Sequence, residues 1–588
     1  MHSLKKKQQH LRLLFFIASA FIYPLSAWGE DTIAVAPLEA PSPDILGTLS
    51  QKNGGLGDAL WADTRRKQAE SYLADLQPVA SPALRKLENI LLLSTSQPPH
   101  GKGTHETLIG LRLDALFRFG NLQGFNGLYT LTPSRYITDD IHAKKYLLML
   151  LDEEASADKV CPEIEERAKT SSEPSLRQLL AFCQLTHGKN DEALLTLSLL
   201  QEDFPKVSSW AALIDLVSSK KRNTTVSTIA SPVDFLFYRF LNLPLAESFN
   251  TKALSPILAK AVAGYSHAPG NIRITAAEEA FHSGVTTAEY LASVYSGQVF
   301  DKNLLKKAGV DSVTLAPEKE RALFFQAASQ STGTEKLYKI HATLQIFAKY
   351  DRLDLGYALF RNQIPEVATL PATIDSATLA FIPDAVKMLL LSPQNEDQVN
   401  AWYESLRKHP IHAAKDSDSH LYLSFLMAIA ALPSEETAQP SEMLPWHDEM
   451  DKNVSSALTD WWQDAVETGH ISSQINDKTL LALMYSTTKA LGGKIPYHEL
   501  RRYASLPPTK QDTSPAPDIG TIIALKQANT PHPRLADTVH LATSLMKDIS
   551  WQTTPIAQAA IIQGLLGAGL HNTAKAFALE TLIYYDSQ

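Results

Sequence analysis

The stretch Leu108-Ile109-Gly110-Leu111-Arg112-Leu113-Asp114-Ala115-Leu116-Phe117, followed closely by Gly120-Asn121-Leu122-Gln123-Gly124-Phe125, decides how this chain is read. Positions 108, 111, 112, 115 and 116 fall on one face of a 3.6-residue period, with Arg112 as the polar exception. A glycine then closes the helix, because it enters the left-handed region without steric cost. Asn, Asp or Thr a few residues on can cap the first free N–H groups of the next helix. The same unit recurs. The stripe Leu176, Leu179, Leu180, Cys183 and Leu185 precedes Gly188-Lys189-Asn190-Asp191-Glu192-Ala193. The small-residue face Ala276, Ala277, Ala280 and Phe281 precedes Gly284-Val285-Thr286-Thr287-Ala288. Gly569-Leu570-His571-Asn572-Thr573-Ala574 separates Leu565 and Leu566 from Ala574, Phe577, Ala578 and Leu582. Repetition of helix, glycine turn and helix predicts an all-α fold, a TPR-like α-solenoid of degenerate antiparallel helix pairs, since the joints keep no uniform 34-residue spacing.

Composition points the same way. Only 26 of the 588 residues are glycine, and Ala and Leu dominate the periodic segments. A single compact core stops growing near about 250–300 residues, so a chain this long is expected to be an array or several units. The expected organisation is a leader over 1–29, an extended linker over 30–50 carrying Pro37, Pro41 and Pro43, and N-terminal repeats over 51–220. Central repeats follow over 221–433, beginning at Lys220-Lys221-Arg222-Asn223, which reads as a solvated turn. A helical segment spans 434–506 from the boundary at Ser434-Glu435-Glu436-Thr437. A Pro-rich loop over 507–518 and C-terminal helical pairs over 519–588 complete the chain.

Lys5, Lys6, Lys7 and Arg12 precede an apolar run from Leu13 to Tyr23, broken by Pro24, and Ala27-Trp28-Gly29 supplies small residues where a signal peptidase reads. Cleavage is expected between Gly29 and Glu30, giving a periplasmic protein. The apolar run is about half of the roughly 20 residues that cross a bilayer, which disfavours an uncleaved anchor. Leu91-Leu92-Leu93 and Leu389-Leu390-Leu391 are short clusters, so no stable membrane insertion is expected after the leader is removed. Net charge is −9, and loss of the four leader cations makes the chain more acidic still. That balance disfavours phosphate backbones and anionic headgroups as main partners.

The only cysteines are Cys161 and Cys183. In an oxidising compartment they are expected to form a disulfide, worth about 3 kcal/mol by loop entropy. Two buried free thiols on neighbouring helices are the alternative.

Catalytic patterns are sparse. Gly264-Tyr265-Ser266-His267-Ala268 lacks the second glycine of a nucleophile elbow, and reads as a turn. Ser218…Lys221, Ser405…Lys408 and Ser486…Lys489 match the loose S-x-x-K spacing without its partner motifs. His105-Glu106 does not continue to a second histidine, and His532 and His540 stand too far apart for one zinc site, so no metal or cofactor is expected. Glu163-Ile164-Glu165-Glu166 and Ala277-Glu278-Glu279-Ala280 are candidate acid pairs for glycan cleavage, but neighbours on a helix point about 100° apart, and solvated faces explain both. Trp402-Tyr403 and Trp461-Trp462 could stack on sugars, with core packing the simpler reading.

Several phrases resemble a family of alphaproteobacterial exported helical-repeat proteins that carries no established activity. They are Leu60-Trp61-Ala62-Asp63-Thr64-Arg65-Arg66, Ser81-Pro82-Ala83-Leu84-Arg85-Lys86-Leu87 and Leu91-Leu92-Leu93-Ser94. With them go Cys161, Ala181-Phe182-Cys183-Gln184-Leu185, Arg273-Ile274-Thr275-Ala276-Ala277-Glu278-Glu279-Ala280 and the tail from Gly569 through Ala574 to Glu580. The resemblance implies a periplasmic setting and a paired-cysteine helical hairpin. A looser likeness is to the non-catalytic superhelical region of soluble lytic transglycosylases, whose catalytic domain has no counterpart in the sequence. The resulting expectation is a periplasmic helical-repeat scaffold for protein–protein interaction in the cell envelope, with no catalysis. The alternative is a peptidoglycan- or glycan-active or glycan-binding envelope protein, with cell-wall glycan as its partner.

Overall fold

The computed structural model describes residues 42–105, 107–152, 156–206, 209–219, 224–308, 314–366, 375–392, 396–408, 418–432, 450–467, 477–506, 517–530, 532–547 and 554–585. The leader over 1–29 with its Gly29–Glu30 cleavage pair, linker residues 30–41, the Lys220–Asn223 turn, the Ser434–Thr437 boundary and residues 507–516 of the Pro-rich loop lie outside them. Among the described residues there is no strand, only three isolated bridges, and the fold is all-α.

Sequential helices pair with their neighbours. The first are α1 (Arg66–Asp75), α2 (Pro82–Leu93), α3 (Ile109–Arg118), α4 (Leu122–Leu131) and α5 (Asp139–Leu151). A run of stacked neighbours follows in α6 (Ala157–Ala168), α7 (Pro174–Thr186), α8 (Asn190–Asp203), α9 (Ser209–Ser219) and α10 (Pro232–Phe240). The middle holds α11 (Pro256–Gly264) against α12 (Gly270–His282), then α13 (Ala288–Ser296) and α14 (Lys302–Lys307). It continues with α15 (Pro317–Ser329) against α16 (Gly333–Lys349), α17 (Leu353–Phe360), and α18 (Ser376–Leu390) against α19 (Glu396–Arg407). The last part comprises α20 (Asp418–Ala430), α21 (Met450–Glu467), α22 (Lys478–Ala490) and α23 (Tyr497–Ser505). It ends with α24 (Ile519–Gln527), α25 (Leu535–Lys547), α26 (Pro555–Gly567) and α27 (His571–Tyr585).

The four glycine joints are built as their chemistry requires. Gly120, Gly188, Gly284 and Gly569 have φ of 66°, 76°, 79° and 75°. At each, the glycine N–H and the next N–H fold back on the last carbonyls, as when Gly120 N donates to Phe117 O and Asn121 N to Leu116 O. Asn121 then caps α4 by accepting from Gly124 N at 2.8 Å, and Thr287 caps α13 by accepting from Tyr290 N at 3.3 Å. The second joint differs from expectation. Asn190 is already the first helical residue of α8, and Lys189 before it makes no capping bond.

The stripes face the core: Leu176, Leu179 and Cys183 of α7 and Ala276, Ala277 and Ala280 of α12 are all buried. Arg112, the polar exception, is only 2 % exposed. Its guanidinium donates to Leu92 O, Leu46 O and Ser94 O at 2.8, 2.5 and 2.9 Å, so the charge is spread over two carbonyls at the open end of α2 and one from the N-terminal segment. Cys161 of α6 and Cys183 of α7 form a disulfide.

Residues 42–50, expected to belong to an extended tether, are docked instead. Asp44 is 3 % exposed, accepts from Leu108 N at 2.6 Å at the start of α3 and pairs with Arg66 at 2.7 Å. A carboxylate on a free helix N–H and on a guanidinium holds this segment against the body.

Ser42–Gln588 forms one compact unit, and one core cluster runs from Leu60 to Tyr585. Thin stacked layers let a core extend past the size at which a globular one stops growing. The array also returns to its start, because α2 packs against both α25 and α27. Ser81 Oγ donates to Glu580 Oε2 at 2.5 Å, Ala83 N donates to Glu580 Oε1 at 2.9 Å, and Thr64 Oγ1 donates to Asp537 Oδ1 at 3.0 Å. The final helix thus supplies a carboxyl cap to the first turn of α2, beside the local cap in which Leu84 N donates to Ser81 Oγ.

Candidate functional site

Two glycine joints and the starts of two helices meet at a cleft of about 450 Å³. Its walls are the first turns of α2, the Gly120 joint, the Gly284 joint and the start of α11. The joints fit closely. A Cβ on Gly120 would lie 2.8 Å from Val285 Cγ2 and 3.3 Å from Ile257 N, and one on Gly284 would lie 2.9 Å from Arg85 Nε. Only glycine satisfies both the left-handed backbone and this approach.

Arg85 organises the cleft. Nη1 donates to Val79 O and Ala80 O at 3.0 Å each and to His282 O, which ties α2 to the end of α12. Among the described residues, Nε and Nη2 make no hydrogen bond. Burial pushes the guanidinium below its ordinary range, and Glu580 and Asp354 oppose that. Asn89 continues the wall by donating to Arg85 O at 2.9 Å and accepting from Asn121 Nδ2 at 2.7 Å. Lys86 and Lys260 also line the cleft, with Asp152 as the facing carboxylate, 3.7 Å from Lys260 Nζ.

A smaller cleft of about 160 Å³ also includes Pro82 and Arg85, with His282, Asp354, Arg361 and Tyr584. His282 Nε2 is 3.3 Å from Asp354 Oδ2, while Asp354 Oδ1 is buried without a hydrogen-bond partner among the described residues. Burial raises the Tyr584 hydroxyl well above its usual range. Behind it, Asp384 accepts from Tyr357 at 3.2 Å and faces His341 Nδ1 at 2.7 Å, an interaction that raises the His341 pKa. Burial pushes Glu580 up to about 7, against the lowering effects of Ser81, the Ala83 N–H and Arg85. These groups can hold charge and protons. The neighbouring hydroxyls are phenols held by burial or carboxylates, and the serine among the described lining residues, Ser283, donates its hydroxyl to the backbone carbonyls of Glu279 and Ala280 at 2.9 and 3.0 Å.

The residues singled out by sequence pattern lie elsewhere and stay apart. Glu163, Glu165 and Glu166 turn to Lys145, His187 and Lys169 respectively. Glu278 is not solvated as expected: Arg321 holds it in two bonds of 2.9 and 2.7 Å, and Tyr295 donates to it at 2.7 Å, all buried. Glu279 pairs with Arg352 at 3.0 Å. Ser405 Oγ donates to Trp402 O and Ser486 Oγ to Leu483 O, so neither faces a lysine, while Lys221 lies outside the described residues. Ser266 is an exposed turn residue 3.2 Å from His267 Nδ1. His540 stacks on Tyr72 with ring centroids 3.9 Å apart, His532 is exposed, and Glu106 is not described. Among the described residues no three His, Cys, Asp or Glu side chains are grouped to hold a metal, and no helix is long and apolar enough to cross a membrane. Trp402 and Trp462 are fully buried, Trp402 donating to Pro365 O and Trp462 to Thr488 Oγ1. They are core anchors, not platforms for sugars.

Arg85, Glu580, Asp354 and His282 were not marked as site residues by pattern. Their one signal is that Ser81–Leu87 and the Gly569–Glu580 tail, quoted above for resemblance, turn out to touch. Comparison of the chain with protein-family models, curated proteins and solved structures finds no match.

Proposed function

We propose that this protein is a periplasmic helical-repeat scaffold that holds a partner protein in the cell envelope and performs no catalysis of its own. The observation that carries this reading is a pair of large apolar side chains exposed on α8. Leu195 is 62 % and Leu199 43 % exposed, one helical turn apart, and the exposed Phe204 follows at the end of the same helix. Large aliphatic side chains at i and i+4 on one helix are the anchors by which an amphipathic partner helix docks. Covering a leucine recovers on the order of 25 cal/mol per Å² of apolar surface, so a few such residues suffice for a specific contact. The stacked pairs beneath supply a rigid support, as in other helical arrays.

Crosslinking in intact cells followed by purification tests this. Wild-type chain is expected to recover a protein that the Leu195→Asp/Leu199→Asp variant loses, with unchanged helical circular dichroism. Identical recovery by both refutes the α8 surface. Fractionation tests the compartment: the processed chain, beginning at Glu30, is expected in the periplasmic fraction, and an intact chain in the cytosol refutes that part.

A further inference from the structure

We infer that the cleft at Arg85 is a binding site for a small oxyanion-bearing ligand, a molecule of sugar-acid or sugar-phosphate size carrying one carboxylate or phosphate group. The cleft of about 450 Å³ has room for a ligand of that size. Three cations line it, Arg85, Lys86 and Lys260, against one carboxylate, Asp152, in a chain whose net charge is −9. That local excess runs against the sign of the whole protein.

The donors are also uncommitted where it matters. Lys260 Nζ stands 3.7 Å from Asp152, beyond hydrogen-bond length, so its ammonium retains donors for a third group. Lys86 is exposed and makes no ion pair among the described residues. Arg85 is anchored through Nη1 alone, with the Gly284 backbone packed against its Nε side, and Nη2 makes no hydrogen bond among the described residues. The guanidinium is therefore held in place before any ligand arrives.

One further feature favours negative charge there. α11 begins at the cleft without a side-chain cap, since Ser255 makes no such bond, and Ile257 N lies beside the Gly120 joint. An uncapped helix start presents free N–H groups and a partial positive charge. Asn89 and Asn121, bonded to each other, fix the opposite wall. Arg85 is partly balanced from the far side by Glu580 and Asp354, so recognition inside the cleft depends on the two lysines for its net charge.

Titration calorimetry of the purified full chain at low ionic strength tests the inference, using inorganic phosphate, glucose 6-phosphate, D-glucuronate and uncharged glucose. Binding of a charged probe, absent for glucose and weakened by added salt, is the expected result. Selective binding of the phosphate probes assigns a phosphorylated ligand, and selective binding of glucuronate a carboxylated one. Lys86→Ala and Lys260→Ala are each expected to weaken binding by about tenfold, the scale of one lost charged hydrogen bond. No binding by any charged probe at 10 mM (roughly the weakest affinity worth a site), equal binding of glucose, or unchanged affinity in the Lys86→Ala/Lys260→Ala double variant overturns it.

Discussion

Replacing Glu580 by Gln should make the protein's stability less sensitive to pH, because the carboxyl that joins α27 to α2 is held in a setting that favours its neutral form. Burial moves it from an ordinary 4.5 to about 7. At 1.36 kcal/mol per tenfold, that shift corresponds to about 3 kcal/mol between the ionised and protonated forms. The sign follows from proton counting. Between pH 4.5 and 7 the folded state binds more protons at this group than the unfolded chain, so stability falls as pH rises through that window. Below it both states are protonated and the contribution vanishes; above 7 the full cost is present. Glutamine keeps an oxygen for Ala83 N and an amide for Ser81, but never ionises. Relative to wild type, Glu580→Gln should therefore gain about 3 kcal/mol between pH 4.5 and pH 8. Urea unfolding followed by circular dichroism at four pH values gives the difference, and amide exchange of Ala83 and Leu84 gives its local counterpart. Parallel pH curves for the two proteins would refute the reasoning.

Other perturbations test the remaining supports. Reducing the Cys161–Cys183 bridge, or Cys161→Ser/Cys183→Ser, should cost about 3 kcal/mol in urea titrations, the loop-entropy value for so short a loop. Gly188→Ala should cost about 1 kcal/mol, since only the left-handed backbone opposes it, with nothing within 4 Å of the new methyl group. Gly284→Ala should cost at least twice as much, because its Cβ meets the anchored Arg85, and equal melting shifts for the two would contradict that contact. Arg321→Met should cost about 3–5 kcal/mol by leaving Glu278 buried without its partner, and Glu278→Gln added to it should restore part of the loss. Thermal melts of the single and double variants measure the recovery.

The fold was legible because its determinants are local. A left-handed glycine after an apolar stripe is a property of a dozen consecutive residues, and in all four joints the glycine closes its helix as expected, although the cap of the next helix does not always follow. The errors were also local in origin. Arg112 read as an exception to its stripe because the carbonyls it serves, on Leu46, Leu92 and Ser94, belong to other segments. Asp44 read as part of a tether because its partners, Leu108 and Arg66, are equally remote. The cleft was hidden for the same reason carried further. Arg85, Gly284 and Glu580 are unremarkable in their own neighbourhoods. Only the return of α27 to α2, across 497 residues from Ala83, makes them a set. Adjacent glutamates did predict divergence at Glu278 and Glu279, but not that Tyr295 and Arg321, from two other helices, would bury the first.

Closure and the cleft share Arg85, and that makes their tests dependent on each other. An anion seated beside Arg85 adds negative charge near Glu580, whose ionised form already draws on the same guanidinium. Linkage then requires that ligand binding favour protonated Glu580, and that protonated Glu580 favour the ligand by the same factor. The Glu580→Gln protein should accordingly bind the charged probe more tightly than wild type at pH 8 and equally at pH 5, where both are neutral at that position. Comparing the two proteins at each pH cancels the probe's own ionisation. A ratio of affinities that stays constant from pH 5 to pH 8 would mean that the ligand does not sense Arg85's other partner, and would place the anion away from this arginine.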